Sequence, residues 1–385
     1  MNNMSDKELQ LHIRAVILLI LSMTAIAMMG MVARQNWNSK VTAYPTKTET
    51  AIHDYANRLL SEMTLEQKIA QMIFATDISD ADRAAELGLG GVLLTDANLG
   101  DLGRNEVSAV VSGFQTGAEL PMFIGVNEEG GAVNTLSQYP SVRDIPFLSA
   151  SELMTTGGLG LVREDTKAKC ELLRSVGVNV NFAPVCDVAT EDTAYMYGRA
   201  LGRDGETTAR YAEAVVEVME DEGVIGALKH FPGYGNLTAA DGNRVFTDDR
   251  SVEQMETEDL LPFTKGLKAG AEMVMMGHSV VQAIDPDAPA SLSRKVHNLL
   301  RRTYGFDGVI ITDALDAQGL SAYGSPEELA VGAVQAGSDL LLTGEYEVQI
   351  PALVQAVQRG EIARERIDES VLRILKLKIE YGIIG

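Results

Sequence analysis

Short apolar runs alternate along the chain with longer segments in which apolar residues recur every three to four positions. A continuous run of four to eight apolar residues is typical of a strand buried on both faces, and the longer pattern is typical of an amphipathic helix. The sequence therefore predicts alternating strands and helices. The predicted strands lie within residues 71–75, 91–95, 121–126, 178–185, 223–228, 271–276, 308–312 and 338–343.

This alternation predicts an α/β fold with a parallel sheet. It favours a closed (β/α)₈ barrel of the TIM type over an open doubly wound sheet, because no Gly-x-Gly-x-x-Gly turn follows the first strand. An amphipathic helix is predicted over residues 51–63, and Thr64 with Gln67 forms a predicted capping box that opens the next helix. The periodicity from Pro351 onward predicts a helix packed on the outer wall of the barrel.

The N-terminal part of the chain has a different composition. Residues 15–33 form an uncharged run close to the roughly 20 residues that a membrane-spanning helix needs. We expect a transmembrane anchor here, with a cleaved signal segment as the alternative. Residues 1–14 then form a tail, residues 34–50 a polar linker, and residues 51–385 one barrel domain, anchored outside the cytoplasm or secreted after cleavage.

Charge and cysteine content exclude some classes of function. The net charge of −22 argues against a nucleic-acid partner, because binding a phosphate backbone requires a basic surface. Cys170 and Cys186 lie in apolar surroundings at a spacing that matches no common metal-binding motif, so we expect buried thiols.

Polar residues follow the predicted strands at the edge where a TIM-type barrel gathers its functional side chains. Most of these strand ends carry a carboxylate or an imidazole, more than a purely structural rim requires. We therefore predict an enzyme. In strand order from the third to the eighth, the residues are Asn127, Glu128, Glu129, Asp187, Lys229, His230, His278, Ser279, Asp313, Thr343 and Glu345.

Lys229 and His230 follow a strand that is apolar enough to be covered on both faces. Charged residues at such a position are rarely buried without a partner, so the pair predicts a functional site. The alternative is a structural ion pair between Lys229 and a neighbouring carboxylate at the barrel rim. The Pro- and Gly-rich residues that come next predict a turn, and residues 236–244 a loop over the site.

Six motifs occur in a fixed order along residues 55–385: GVNEEGG at 125–131, NFAPVCDV at 181–188, YGRALGRD at 197–204, KHFPGYG at 229–235, MGHSVV at 276–281 and YGFDGVIITDAL at 304–315. Together they resemble glycoside hydrolase family 3, and within it the β-N-acetylhexosaminidase branch. The resemblance implies a barrel that hydrolyses terminal β-linked N-acetylhexosamine, with peptidoglycan fragments as one expected substrate.

The resemblance also implies residue roles. Asp313 becomes the nucleophile of a retaining glycosidase, which needs a carboxylate to attack the anomeric carbon and a proton donor for the leaving oxygen. Lys229 and His230 are implied to bind sugar hydroxyls, Arg199 to hold the N-acetylated sugar, and Asp187 to support the site. No metal or cofactor is implied, because this chemistry needs only carboxylates and a proton donor.

The loop after KHFPG departs from the branch pattern. The branch carries an Asp-x-His pair there, whose His is the general acid/base, and the equivalent here is Asp241-Gly242-Asn243. A side-chain amide does not titrate at accessible pH, so Asn243 cannot replace the His. We predict Asp241 as the second catalytic residue, with Asp248 or Asp249 as substitutes if the loop folds differently.

Two further departures follow the third strand. Asn127, predicted to contact substrate, stands where the branch has Asp, and Thr135 stands near its usual Arg. Neutral groups thus replace charge-assisted contacts. The single Trp, at position 37, lies outside the predicted barrel, so few aromatic side chains are left to stack sugar rings. We expect a pocket for one terminal sugar residue.

Two functions remain open at this stage. The first is an exported, membrane-tethered β-N-acetylhexosaminidase that acts on a carbohydrate substrate through Asp313. The alternative is a catalytically impaired carbohydrate-binding relative, suggested by Asn243, because a fold does not by itself guarantee turnover. A β-glucosidase-like specificity has no support, since no second α/β-sandwich domain is evident in the sequence.

Overall fold

A computed structural model describes residues 49–238 and 245–385. Each of the predicted strands is present, although most are shorter than the apolar run that contains them. The barrel strands are β1 Ile73–Ala75, β2 Gly91–Leu93, β3 Phe123–Val126, β4 Val180–Asn181, β5 Ile225–Phe231, β6 Met273–Met276, β7 Val309–Thr312 and β8 Leu341–Thr343.

These strands form one parallel sheet in the order β7-β6-β5-β4-β3-β2-β1-β8. The first and last strands of the chain are neighbours, because Ile73 pairs with Leu341 and Ala75 with Thr343. A single parallel bridge between Ile311 and Leu340 joins β7 to the start of β8 and nearly closes the ring. The predicted (β/α)₈ barrel is therefore confirmed.

The helices of the described residues follow the strands in a regular alternation. Serine and threonine caps fix several starts, and the capping box predicted at Thr64 and Gln67 is present. The helices are α1 Glu49–Glu62, α2 Leu65–Gln71, α3 Ala81–Leu87, α4 Asp96–Leu99, α5 Arg104–Gln115, α6 Ala150–Ser175, α7 Gly205–Asp221, α8 Val252–Thr257, α9 Leu260–Lys268, α10 Arg294–Asn298, α11 Pro326–Ala336, α12 Tyr346–Gln358 and α13 Arg364–Glu380.

Aromatic rings fill part of the barrel interior. Phe74 lies against Phe123 and Phe182, with ring centroids 6.4 and 5.1 Å apart. Two neighbouring strand positions must be glycine for this packing, because a Cβ on Gly91 would lie 2.8 Å and one on Gly125 2.7 Å from the Phe74 ring. Apolar contacts of this kind provide most of the stabilisation of a buried parallel sheet.

Three element boundaries differ from the prediction. β5 extends past residue 228 to Phe231, because Phe231 still pairs with Met276 of β6. The longer apolar pattern between the fifth and sixth predicted strands is divided between α8 and α9. The segment predicted as one helix from Pro351 is two helices, and Pro351 lies inside the first of them. Both pack their apolar residues against the barrel, as expected.

The predicted tail, anchor and most of the linker, together with Trp37, lie outside the described residues. Within 49–238 and 245–385, no helix has the length and apolar character needed to cross a membrane. Cys170 and Cys186 are both buried and unpaired, which confirms the prediction of core thiols. Burial raises the pKa of Cys170 to about 12, so this thiol is protonated and unreactive at neutral pH.

Candidate active site

A cleft of about 850 Å³ opens at the C-terminal edge of the barrel, within the size range of small-molecule sites. Six of the sequence-predicted strand-end and site residues meet in it. They are Asn127, Arg199, Lys229, His230, His278 and Asp313. Other predicted strand-end residues do not line the cleft: Glu128 and Ser279 are buried, Thr343 is buried and accepts from the backbone N–H of Glu345, and Glu345 is exposed.

Asp313 lies immediately after β7 and presents its carboxylate to the cleft. Its backbone N–H donates to the carbonyl of Met276, and its Oδ1 accepts from the N–H of Ala314 at 2.8 Å. The side chain keeps 30% of its surface exposed. Burial opposes ionisation, but His230, His278 and the Ala314 N–H together hold the pKa of Asp313 below its usual value. The residue is therefore a rigidly held carboxylate, ionised at neutral pH.

Asp187 fixes the orientation of His230. Its Oδ2 accepts from Nδ1 of His230 at 2.8 Å, and its Oδ1 accepts from the backbone N–H of Tyr234 at 2.8 Å. Because the buried carboxylate only accepts, Nδ1 carries the proton and Nε2 is turned toward the cleft. Nε2 then lies 3.9 Å from Oδ2 of Asp313. Asp187 thus joins His230 to the backbone of Tyr234.

Two residues of the cleft lining, Lys229 and Arg199, form a buried ion-pair triad with Glu129. Oε1 of Glu129 lies 2.5 Å from Nζ of Lys229 and 2.6 Å from Nη2 of Arg199. Lys229 is 1% exposed and also donates to Oδ1 of Asn127 at 2.9 Å. Although burial favours the neutral carboxyl, Lys229 and Arg199 lower the pKa of Glu129 to about 2. The structural ion pair considered for Lys229 thus exists, and its cation lines the cleft.

Asn127 and Thr135, two of the departures noted in the sequence, are direct neighbours. Oγ1 of Thr135 accepts from the N–H of Asn127 at 3.0 Å and donates to its carbonyl at 3.1 Å. The Thr135 hydroxyl therefore contacts only the backbone of Asn127. The side-chain oxygen of Asn127 accepts from Lys229 instead.

His278 positions the turn that carries Asp313. Its Nε2 donates to the carbonyl of Ala314 at 3.0 Å, and its Nδ1 accepts from the Ser291 hydroxyl at 2.8 Å. Burial lowers the pKa of His278, which keeps the ring neutral in this tautomer. The N–H of His278 donates to the Tyr234 hydroxyl at 3.0 Å. His278 thus connects β6, β7 and the KHFPGYG turn next to Asp313.

Comparison with known proteins identifies the family to which these residues belong. Residues 64–377 match the model of the glycosyl hydrolase family 3 N-terminal domain, which is most of the chain. The chain belongs to glycosyl hydrolase family 3. The family resemblance noted in the sequence is confirmed, and the chain is a glycosidase.

Relatives of known name agree with this family assignment. The beta-hexosaminidase LpqI of Mycobacterium tuberculosis is 32% identical over 330 residues, which cover 81% of this chain and 82% of that protein. A beta-hexosaminidase of Xanthomonas oryzae pv. oryzae is 30% identical over 273 residues, covering 70% and 80%.

A solved structure shares the fold. The family 3 beta-N-acetylglucosaminidase of Paenibacillus sp. str. FPU-7 superposes with a TM-score of 0.78 at 32% identity. The matched region covers 84% of this chain and 64% of that one. This chain therefore spans slightly less than two thirds of that larger enzyme.

Of the residues considered as acid/base in this family 3 chain, some lie outside the described residues and others do not line the cleft. Asp241 and Asn243 lie outside the described residues. Asp248 is wrong as a substitute acid, because its buried carboxylate is held by Arg250 at 2.6 and 2.9 Å and does not line the cleft. Asp249 is exposed and does not line the cleft either. On either side of the undescribed loop segment, Thr238 and Val245 both border the cleft.

Two residues at or next to the cleft were not singled out as site residues from the sequence. Glu129 was noted only as a strand-end residue; it does not line the cleft, but it pairs with Lys229 and Arg199, which do. Tyr195 lines the cleft with 50% of its surface exposed, although the sequence suggested few aromatic side chains near the site. Among the described residues, no cluster of three or more His, Cys, Asp or Glu side chains is arranged to hold a metal ion.

Proposed function

We propose that this glycosidase removes terminal β-linked N-acetylhexosamine and does so with retention of configuration, with Asp313 as nucleophile. The observation that carries the proposal is the ionised Asp313 carboxylate, fixed at a strand end and open to the cleft between His230 and His278. The names of the relatives, which include beta-hexosaminidases and a beta-N-acetylglucosaminidase, support the substrate class.

In the first step, an Asp313 oxygen attacks the anomeric carbon while the bond to the leaving oxygen breaks and that oxygen takes up a proton. In the second step, water attacks the anomeric carbon, the bond to Asp313 breaks, and the water's proton returns to the residue that donated the first one. Asp313 therefore begins and ends as a carboxylate, which its lowered pKa favours at neutral pH.

The other cleft residues hold the terminal sugar. Lys229 and Arg199 are fixed by Glu129, and Asn127 is fixed by Thr135 and Lys229. Donors whose positions are set before substrate arrives bind hydroxyl and acetamido groups with little loss of conformational entropy. Nε2 of His230, held toward the cleft by Asp187, provides a further polar contact beside the nucleophile.

The proton donor is assigned to Asp241. His230 is committed to Asp187 through Nδ1 and lies 3.9 Å from Asp313, which suits substrate binding next to the nucleophile. Asn243 cannot exchange a proton, and Asp248 is bound by Arg250. Replacement of Asp241 with Asn is expected to slow hydrolysis more for a poor aryl leaving group than for a dinitrophenyl one, because only the poor leaving group needs the proton.

The proposal is tested by hydrolysis of 4-nitrophenyl β-N-acetylglucosaminide, with Asp313→Asn as the inactive control. A 5-fluoro N-acetylglucosaminyl fluoride, which forms the covalent intermediate faster than it releases it, should label the peptide that contains Asp313. Turnover without a labelled peptide would reject Asp313 as nucleophile while leaving the activity intact. A folded chain without turnover would reject the activity itself and favour a carbohydrate-binding relative.

We further propose that residues 15–33, which lie outside the described part of the chain, tether the barrel to a membrane with the domain outside the cytoplasm. Cleavage of this segment would instead release a secreted domain. The proposal is supported by the uncharged apolar run alone. Peptidoglycan fragments are the proposed substrate for such a location. Fractionation of cells that express the full chain, compared with a chain lacking residues 1–33, tests the tether.

A further inference from the structure

Three side-chain oxygen atoms converge on one small space at the C-terminal edge of the barrel. Oδ2 of Asp316, Oγ1 of Thr76 and Oδ2 of Asp77 lie 3.1, 3.3 and 3.6 Å from the point that a Cβ of residue 344 would occupy. Because residue 344 is a glycine, no side chain of its own fills this space. All four residues lie outside the lining of the catalytic cleft.

The residues around this space come from the ends of three strands. Thr76 and Asp77 follow β1, and Gly344 follows β8. Asp316 lies in the turn that follows β7 and carries the proposed nucleophile. The N–H of Thr76 donates to the carbonyl of Thr343 at 2.9 Å, and the N–H of Gly344 donates to Oδ2 of Asp316 at 3.3 Å. The space therefore lies where β7, β8 and β1 meet.

The Thr76 hydroxyl is the observation that points to a ligand. The residue is only 8% exposed, and its Oγ1 is buried without a hydrogen-bond partner among the described residues. A buried hydroxyl without a partner costs free energy, so most such groups bind a water or an ion. A ligand shared by this hydroxyl and two carboxylates must be a hydrogen-bond donor or a cation, because ionised carboxylates only accept.

The charges around the space favour a cation. Asp77 and Asp316 are exposed, and their Oδ2 atoms are at most about 7 Å apart, so the two carboxylates repel each other. In the described part of the chain neither forms an ion pair, and the nearby Arg83 pairs with Glu347 instead. Burial, Glu347 and Asp77 raise the pKa of Tyr346, which indicates a negative local potential.

We propose that Asp77, Asp316 and Thr76 bind a partly hydrated calcium ion in the space above Gly344. Ca²⁺ takes about six to eight oxygen ligands in flexible geometry, so water completes the shell on the exposed side. Mg²⁺ fits less well, because it requires near-octahedral geometry at roughly 2.0–2.1 Å and the three protein oxygens are spread widely. The ion ties the turn after β7 to the ends of β1 and β8. The inference does not depend on the proposed function.

The test is calcium binding by the full chain after treatment with a chelator. Calorimetry should give a Kd of about 10⁻⁴ to 10⁻³ M, the range of weak calcium sites. At about ten times this Kd, calcium should raise the Tm by about 2 to 4 °C. Mg²⁺ at the same ionic strength should raise it by less than half as much. No rise with calcium, or an equal rise with Mg²⁺, would overturn the assignment.

Asp316→Asn removes one ligand charge at an exposed position and should weaken calcium binding at least about 10-fold. Asp82→Asn is the matched control, because it removes the same charge from an exposed side chain on α3 that does not border the space. It should change the Kd less than about twofold. Equal effects of the two substitutions would show that calcium responds only to the net charge of the chain, and would overturn the site.

Thr76→Val separates a calcium ligand from a hydroxyl that is merely buried. Valine removes a group without a protein partner, so the Tm without calcium should stay the same or rise. The Kd for calcium should increase about 3- to 10-fold. An unchanged Kd would overturn the proposed ligand set. If this variant does not fold, Gly344→Ala provides the same test, because its methyl group would fill the space 3.1 Å from Oδ2 of Asp316.

Discussion

Asp313 and Asp339 are carboxylates at opposite ends of the neighbouring strands β7 and β8. Burial alone would raise the pKa of both carboxyl groups. Nearby cationic or hydrogen-bonding groups outweigh this effect and lower both pKa values. Their surroundings differ. Asp339 has no exposed surface and is held by three arginines, the Ser370 hydroxyl and the N–H of Ile310. Asp313 has 30% exposure and accepts one backbone N–H.

The comparison separates a perturbed carboxylate from a reactive one. At the N-terminal end of the barrel, Asp339 joins the start of β8 to Ile310 of β7, next to the single bridge between these strands. Both carboxylate oxygens of Asp339 are taken by these structural contacts. Asp313 keeps an oxygen directed into the cleft. A lowered pKa alone therefore does not identify a site in this barrel, whereas a lowered pKa with unused acceptor capacity and access does.

The largest expected effect comes from removing the charge of Asp313. Asp313→Asn should reduce kcat/KM by at least about 10³-fold, as expected for loss of a nucleophile. Its thermal unfolding temperature should fall only slightly: the charge that His230 and His278 stabilise is lost, but it is partly exposed, and the Asn oxygen can still accept from Ala314. Enzyme assays and thermal unfolding of one preparation test both parts. A marked loss of stability would place Asp313 with Asp339 as a structural group.

Asp339→Asn should show the opposite pattern. Removing one partner of a buried ion pair costs about 3–5 kcal/mol, and we expect about 3 kcal/mol because the arginines retain 17–23% exposure. The kcat of the folded fraction should stay close to that of the unmodified chain, since the residue is at the other end of the barrel. Urea unfolding with a parallel assay measures this. A large fall in kcat at unchanged stability would contradict the comparison.

The sequence predicted the C-terminal end of the barrel, where Asp313 lies, better than the N-terminal end, where Asp339 lies next to the bridge between β7 and β8. Lys229, His230 and Asp313 were found because the strand-end rule depends only on local apolar runs and the polar residue that follows each. Asp339 lies inside the run predicted as the eighth strand and gave no signal of its own. Its partners come from α13 and from the segment after α10, and only the closed ring brings these segments together.

Within the site, contacts between segments distant in sequence determine the roles of Glu129 and Tyr195, which local sequence patterns do not show. Glu129 could not be chosen over Glu128 because a short antiparallel pair, Glu128–Gly130 with Val133–Asn134, sets which carboxylate pairs with Lys229 and Arg199. Glu128 turns away and accepts from the N–H groups of Leu136 and Ser137. Tyr195 belongs to an irregular segment, and only its docking on Tyr234 makes it part of the cleft.

Glu129→Gln tests whether the buried triad of Glu129, Lys229 and Arg199 contributes to activity or only to stability. Gln keeps the size of the side chain but leaves Lys229 with Asn127 as its remaining partner. Since burial already lowers the pKa of Lys229, loss of Glu129 should lower it further, and the alkaline limb of the kcat/KM profile should move to lower pH. We expect kcat/KM to fall about 10- to 100-fold. An unchanged pH profile with reduced stability would make the triad purely structural.

The smallest expected effect is a pH dependence of stability from His297, near the Asp339 cluster. Burial lowers the pKa of His297 to about 4, and its ring donates to the Ser293 carbonyl and accepts from Ser338. An unfolded histidine titrates near 6.5, so the unfolded state binds the proton first as pH falls. Stability should therefore drop from about pH 6.5 toward pH 4, by about 1 kcal/mol between pH 7 and 5.5.

His297→Gln isolates this contribution. Gln retains a donor and an acceptor for Ser293 and Ser338 but does not titrate, so its stability should fall less between pH 7 and 5.5. Urea unfolding of both proteins at the two pH values measures the difference of slopes. Equal slopes would show that the loss of stability between pH 7 and 5.5 comes from groups other than His297. Asp339 would not be one of them, because a carboxylate with a lowered pKa loses its stabilising effect only at pH values below about 4.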